Sequence, residues 1–341
     1  MTERALATIR EITNISPIDG ADRIELIQVG GWNVVSQKGQ GHEVGGNVVY
    51  FEIDSFLPAT DDRYEFLLSR STRTDQTGSK GHVLKTIRLK GQYSQGLILP
   101  LSKFPEITEP TPGTDVTKIL GITKWDPPLP AELAGQVLGF FPSFMPKTDS
   151  ERVQNLECIF PLEGEWEAHE KVDGTSATFA VDVDGVFWVC SRNMALKENE
   201  SNTYWKIARE HQIEELLRVE QPEGKSIVIQ GEIYGEGIQS NPLGVKGQHL
   251  AVFNFMMGHH GNWVARRDYG DLPAAPQYDL DVPQSVEEAV AQAEGLKSLI
   301  SPERQAEGIV WNRVGKPLSN PTDGKTHWKA INNKFLIKND R

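Results

Sequence analysis

Short apolar runs separated by glycine breaks fill the first 120 residues. Ile24-Glu25-Leu26-Ile27-Gln28-Val29 and Leu84-Lys85-Thr86-Ile87-Arg88-Leu89 show the partial two-residue alternation of strands with one wetted face. Strands are predicted over 6–12, 24–29, 32–37, 46–53, 83–89 and 96–100. A handful of short strands must manage its edges, so a small, nearly closed barrel is expected. Trp125-Asp126-Pro127-Pro128-Leu129-Pro130 and Phe140-Phe141-Pro142-Ser143-Phe144-Met145-Pro146-Lys147 are rich in proline and carry no period, which predicts a linker over 126–150. Beyond it the pattern mixes. Residues 177–183 and 185–191 predict a hairpin across Asp184-Gly185, 203–218 an amphipathic helix, and 226–234 and 249–255 buried strands. A second helix is predicted over 285–300, with Ser285 as its cap and Glu288 three positions on. The expected chain is α+β and multidomain: a barrel over 1–125, the linker, and a mixed domain over 151–341.

A length of 341 residues accommodates two domains with real cores, and 38% hydrophobic residues exclude disorder as the main state. The 35 Lys and Arg against 47 Asp and Glu give a net charge of -12, which excludes nucleic-acid binding by bulk positive charge. The acid is unevenly placed: residues 1–125 carry 14 basic and 15 acidic groups, leaving 21 and 32 for the rest. From Asp62 to Lys90, the cations Arg63, Arg70, Arg73, Lys80, Lys85, Arg88 and Lys90 meet only Asp62, Glu65 and Asp75. This is a candidate phosphate-facing surface, set against the commoner meaning of such a cluster as a solvated face. The chain has no run of 18 apolar residues and no signal-peptide pattern at its start, so no membrane partner and a cytoplasmic location are expected. Cys158 and Cys190 are too few for a disulfide scaffold or a zinc cluster and read as reduced core thiols.

Candidate chemistry starts at Glu170-Lys171-Val172-Asp173-Gly174-Thr175-Ser176. A nucleophilic lysine needs its amine beside a group that favours the unprotonated form, and a following glycine lets backbone approach a phosphate. Alone, the pattern is better explained by a β-turn at Asp173-Gly174. Five further segments, in a fixed order along the chain, separate the two readings: Ser191-Arg192-Asn193, Gly231-Glu232-Ile233-Tyr234-Gly235, Val252-Phe253-Asn254-Phe255, Glu307-Gly308-Ile309-Val310-Trp311 and His327-Trp328-Lys329. Singly, each has a plain structural meaning. Together they resemble the motifs of the covalent nucleotidyltransferases, the superfamily of polynucleotide ligases and RNA capping enzymes.

That resemblance implies a ligase-type, ATP-grasp-like nucleotidyltransferase domain. It makes Lys171 the nucleophile that attacks the α-phosphorus of ATP and keeps AMP as a lysyl phosphoramidate. It places Asp173, Glu232 and Glu307 around hydrated Mg2+ or Mn2+, with Glu170 in the nucleotide pocket and Arg192 on the ribose or the incoming 5′-phosphate. Phe253 is implied to stack on adenine, with Phe255 as alternate, and Lys329 to reach the α-phosphate. Many relatives carry two lysines in the last motif; here the first aligns with His327, and Lys325 or Lys334 are the other possibilities. Lys329 lies 12 residues from the end of the sequence, which leaves no room for a C-terminal barrel, while an extra domain lies in front. This arrangement resembles the ATP-dependent RNA ligases of the Deinococcus and Naegleria type. Ala5-Leu6-Ala7-Thr8-Ile9-Arg10, Tyr50-Phe51-Glu52-Ile53-Asp54-Ser55-Phe56 and Gly91-Gln92-Tyr93-Ser94-Gln95-Gly96-Leu97 have the look of that family's OB-like front domain. The resemblance implies a monomer that joins a 3′-OH RNA end to a 5′-phosphate end at nicks in duplexes. A DNA ligase or capping-type enzyme is the rival within enzymes, and a non-catalytic RNA-binding scaffold the rival outside them. The scaffold gives no reason for a lysine beside three carboxylates.

Overall fold

The computed structural model describes residues 4–67, 71–75, 77–126, 135–259, 261–266, 268–316 and 324–339. Two compact units divide the chain, Met1–Leu129 with Leu336–Arg341, and Pro130–Phe335.

In the first unit the strands are β1 (Ala7–Ile18), β2 (Ala21–Val29), β3 (Trp32–Gln37), β4 (Asn47–Phe51), β5 (Ser55–Pro58), β6 (Thr72–Thr74), β7 (Lys80–Val83), β8 (Thr86–Leu89), β9 (Gln92–Gln95), β10 (Leu97–Pro100) and β11 (Thr123–Lys124). One antiparallel sheet runs β10-β4-β1-β2-β3, and its two edge strands approach each other, so the sheet nearly closes. Strand alternation explains why both its faces are buried. Val48 and Tyr50 of β4 join Ile12, Ile27, Trp32 and Ile98 in the barrel core, whereas Val49 and Phe51 join Ala7, Ile9, Leu99 and Phe104 in a second core outside it. The strand predicted over 83–89 is broken: Leu84 leaves the run to exchange backbone hydrogen bonds with Asp54 and Ser55, separating β7 from β8.

The second unit holds two sheets. Its strands are β12 (Val137–Phe140), β13 (Glu151–Arg152), β14 (Trp166–Glu170), β15 (Thr175–Val181), β16 (Phe187–Cys190), β17 (Met194–Leu196), β18 (Ser226–Gly235), β19 (Gln248–His259), β20 (Asn262–Ala265), β21 (Gln277–Tyr278), β22 (Gly308–Arg313) and β23 (His327–Ile331). The larger sheet runs β12-β17-β16-β15-β18-β19-β20 and is antiparallel throughout; the smaller runs β13-β23-β22-β14-β21. Helices α1 (Thr203–Glu210) and α2 (Ile213–Glu220) cover one face of the larger sheet, burying Trp205, Ile207, Ile213 and Leu217 against Phe179, Ile229 and Phe255. Helix α3 (Val286–Gly295) packs Ala289 and Ala293 against Trp311, Trp328 and Ala330 of the smaller sheet. A short α4 (Asn333–Lys338) follows β23, and Asn332 accepts from the backbone N–H groups of Lys334 and Phe335 at its start.

Three sequence expectations shift here. The single helix over 203–218 is two, because Gln212 takes a left-handed φ of 50° and interrupts the ladder. The helix over 285–300 stops at Gly295, and the later Leu299 N–H donates to the Glu170 carboxylate instead. Its predicted cap holds, with Ser285 Oγ accepting from Glu288 N at 3.2 Å. Cys158 is exposed rather than a core thiol, whereas Cys190 is buried and its thiol is pushed up to about 12 by that burial. Of the segment read as linker, residues 127–134 lie outside the described residues. β12 is the edge strand of the larger sheet, pairing Val137 with Leu196, and Met145 is buried against Ala180 and Val228. No helix among the described residues is long and apolar enough to cross a membrane.

Candidate active site

The Lys171–Gly174 segment is the chain's passage from one sheet to the other. β14 turns Trp166 and Ala168 into the tryptophan core of the smaller sheet, and Lys171 N–H continues that ladder by donating to Gly308 O at 3.0 Å. Val172 then enters an apolar cluster with Leu243, Ala251 and Ala275, which Phe253 borders. Asp173 is buried, and β15 starts directly afterwards in the larger sheet. Gly174 is needed for a reason the sequence did not reveal: a Cβ there would lie 2.2 Å from Ile233 O of β18. The close approach seen here is to a neighbouring strand, which anchors the lysine's connector.

Charged groups gather around this passage. Lys171 Nζ donates to Glu307 Oε2 at 2.8 Å. Glu307 stands just before β22, and its carbonyl accepts from Asn332 N–H at 2.8 Å, so the loop end carrying it is fixed. Glu232, on β18 opposite Ser176, is half-buried by area, with its carboxyl the enclosed part. Burial pushes that carboxyl up to about 8; Lys171 pulls it down, Glu307 pushes it up, and weaker opposed effects come from Arg192 and Asp149. Arg192, in the turn between β16 and β17, donates to both Asp149 carboxylate oxygens at 2.6 and 2.7 Å. Lys329 Nζ lies 3.8 Å from Asp149 Oδ1. Five expected residues, Lys171, Glu232, Glu307, Arg192 and Lys329, thus belong to one electrostatic cluster.

The rest take separate places. Glu170 is buried, with Oε2 accepting from Leu299 N at 2.7 Å; burial raises its carboxyl above the ordinary range against hydrogen bonds from Ser298, Leu299 and Ile300. Phe253 is the extra residue of a β-bulge, because Gln230 pairs with Asn254 and Gly231 with Val252. That bulge leaves Phe253 half-buried beside Ala251, whereas Phe255 is consumed in the α1–α2 core. His327 is buried in β23, two residues before Lys329 and so on the same face, with Nδ1 2.9 Å from Thr326 Oγ1. Lys325 and Lys334 are exposed. Sequence reasoning missed Asp149, hidden in the proline-rich stretch. It also missed Arg152, which is buried in β13 and pairs in register with Lys329. The charged run Lys147-Thr148-Asp149-Ser150-Glu151-Arg152, following an apolar proline segment, was the available signal.

The carboxylates supply only hard oxygen donors, which suit magnesium or manganese. Among the described residues no three His, Cys, Asp or Glu side chains are grouped to hold a metal ion directly. Asp173, Glu232 and Glu307 bring oxygen donors of that kind, and the enclosed Glu232 carboxyl, raised by burial, is the group that a cation beside it would relieve.

An RNA ligase family model matches residues 164–329, the stretch carrying this cluster, and an OB-fold domain model matches residues 6–101. The solved Naegleria gruberi RNA ligase with PPi is 39% identical, covers 99% of this chain and 100% of its own, and superposes with a TM-score of 0.84. This chain belongs to the RNA ligase family. A lysine-to-methionine mutant of the Naegleria gruberi enzyme with AMP and Mn matches equally, at 39% identity, 99% and 100% coverage and a TM-score of 0.84. A mutant of the same enzyme with ATP and Mn, its lysine replaced by alanine, is 39% identical over 98% of this chain and 100% of that one, with a TM-score of 0.83. No curated protein matches the chain. The fold is that of an RNA ligase: an OB-fold domain followed by a sheet-rich ligase domain with few helices.

Proposed function

We propose that this RNA ligase uses ATP to join a 3′-OH RNA end to a 5′-phosphate end at nicks in duplexes, through AMP held covalently on Lys171. The observation that carries the reading is the Lys171 amine, fixed at the passage between sheets 2.8 Å from Glu307, in a chain that shares 39% of its residues with a ligase solved with AMP and Mn. In the first step the amine attacks the α-phosphorus, a P–N bond forms and pyrophosphate leaves. The lysine must first lose a proton, which its ion-pair partner Glu307 would take as nucleotide and metal charge disfavour the pair. AMP then passes to the RNA 5′-phosphate, which breaks the P–N bond, and the 3′-OH attacks that phosphate and releases AMP.

Lys329 would offset charge building on the α-phosphate, with His327 on the same face in place of a second lysine. Arg192, whose forked donors already grip a carboxylate, suits a ribose or phosphate oxygen equally. Phe253 would stack on adenine, and the buried Glu170 carboxyl would accept from the adenine amine. A magnesium or manganese ion held through water by Asp173, Glu232 and Glu307 would neutralise phosphate charge and favour the unprotonated lysine. Residues 1–125 form the RNA-binding domain in this reading, 126–150 the connection and 151–341 the catalytic domain. The enzyme acts as a cytoplasmic monomer.

Labelled ATP or GTP, followed by nicked duplexes whose 3′-OH strand ends in RNA or in DNA, tests the reading. ATP labelling and sealing of the RNA-ended nick are expected. Labelling by GTP alone, or equal sealing of all-DNA nicks, would replace it with a capping-type or DNA-ligase activity.

A further inference from the structure

Within the first unit, the long connection between barrel strands β4 and β10 carries a two-stranded ribbon, β8–β9, that joins neither the barrel sheet nor the four-stranded sheet β11-β5-β7-β6. Its root is pinned. Ser94 Oγ accepts from Val35 N–H of β3 at 2.9 Å, and Gln95 O accepts from the buried Tyr50 hydroxyl at 3.0 Å. Beyond the root the turn end of the ribbon is open: Ile87 is 44% exposed, and Arg88, Lys90 and Gln92 are exposed as well, with Leu89 and Tyr93 half-buried. The turn at Lys90-Gly91 takes positive φ at both positions, 47° and 85°, as a tight hairpin requires.

The charge is one-sided. Residues 76–105 hold Lys80, Lys85, Arg88, Lys90 and Lys103 and no aspartate or glutamate, in a chain whose net charge is -12. Of the other cations in the basic stretch, Arg73 and Lys80 are exposed on the β6–β7 hairpin, outside the ribbon. Arg63 is committed to Asp61 and Glu106, each at 2.6 Å, and lies 4.5 Å over the Phe104 ring. Arg70 lies outside the described residues.

We infer that the β8–β9 ribbon is a contact for the phosphate backbone of double-helical RNA, with Arg88 and Lys90 as its donors. This rests on the RNA-ligase reading and adds where the duplex is held. The connection between the last two barrel strands is where OB-folds receive oligonucleotides. Duplex is favoured over single strand because the ribbon offers no vacant aromatic platform: the Arg88 guanidinium already lies 5.5 Å from the centroid of the Tyr93 ring. Double-helical RNA is instead read by phosphates, 2′-hydroxyls and shape, and the exposed Arg88, whose Nε donates to Gly91 O at 3.1 Å, and Lys90 offer charge to those phosphates.

The test uses the full chain carrying Arg88→Gln with Lys90→Gly, the glycine preserving the left-handed turn. Binding of a fluorescent nicked RNA duplex is followed by anisotropy across a potassium chloride series, beside the rate of adenylate gain from ATP without RNA. Adenylylation should keep its rate, while duplex affinity falls roughly tenfold at low salt and the slope of log affinity against log salt drops by about 2, near 0.9 per lost phosphate contact. Unchanged affinity and slope would overturn the inference, as would an equal loss on a single strand of the same sequence. If the unaltered protein neither gains adenylate nor seals a nick, the ligase reading fails and not the ribbon.

Discussion

Replacing Gly174 with alanine tests how the nucleophile is held. The added Cβ would meet Ile233 O at 2.2 Å and Ile233 C at 3.0 Å, with Glu232 Cγ also at 3.0 Å. A carbon and an oxygen need roughly 1 Å more than the first of these distances, and both partners are backbone in the centre of a sheet. Thr175 pairs with Ile233 across that ladder, so neither side can yield without moving the start of β15 or the strand that carries Glu232. Overpacking of this kind costs about 1–3 kcal/mol. Backbone against backbone belongs at the upper end, about 2–3 kcal/mol, which for a unit of this size lowers Tm by roughly 4–12 °C. Catalysis should suffer further, because a 1 Å misplacement of a reacting group costs on the order of a hundredfold in rate. Thermal melting and the initial rate of adenylate gain are the assays. Gly295→Ala is the control, since nothing lies within 4 Å of its added Cβ. A Gly174→Ala protein that melts within a degree of the original and adenylylates at full rate would refute the steric argument.

The Glu232 carboxyl, pushed from its ordinary 4.5 to about 8, makes the metal-free protein lose stability as pH rises between those values and level off above them, because the folded state retains a proton that the unfolded chain gives up. Glu232→Gln should match the original protein below pH 4.5 and resist urea better at pH 9, by a few kcal/mol at about 1.4 kcal/mol per unit; parallel pH profiles would contradict this. Phe253→Ala should raise the KM for ATP roughly tenfold, the worth of about one stacked base, with little change in melting. Phe255→Ala should instead destabilise the fold by about 3–5 kcal/mol, and a large KM effect confined to that variant would move the adenine site.

The strand within 46–53 was legible as a continuous apolar run, whose residues divide between two cores as a period of two requires, whereas the alternation over 84–89 hid the departure of Leu84 from that run. The short β5, β6, β7 and β9 were not foreseen as separate strands, because three or four residues hold too little pattern and their pairing depends on distant partners such as Phe56 with Val83. The α1–α2 break escaped notice because amphipathicity continues through it; only the left-handed Gln212 divides the helices. At the site, residue type and order brought forward Lys171, Glu232, Glu307, Arg192 and Lys329, whose charges the fold gathers around one passage. Asp149 went unseen because its partners, Arg192 and Lys329, lie 43 and 180 residues away in sequence. The packing demand at Gly174 was not legible because a clash with Ile233 O exists only once β18 is in place.

Intact-mass measurement after incubation with ATP and magnesium, followed by peptide mapping, addresses the central claim most directly. A gain of one adenylate on Lys171, absent from Lys171→Ala that retains the original melting temperature, is the predicted result. An adenylate mapped to another residue, or an equal gain in the Lys171→Ala protein, would contradict it.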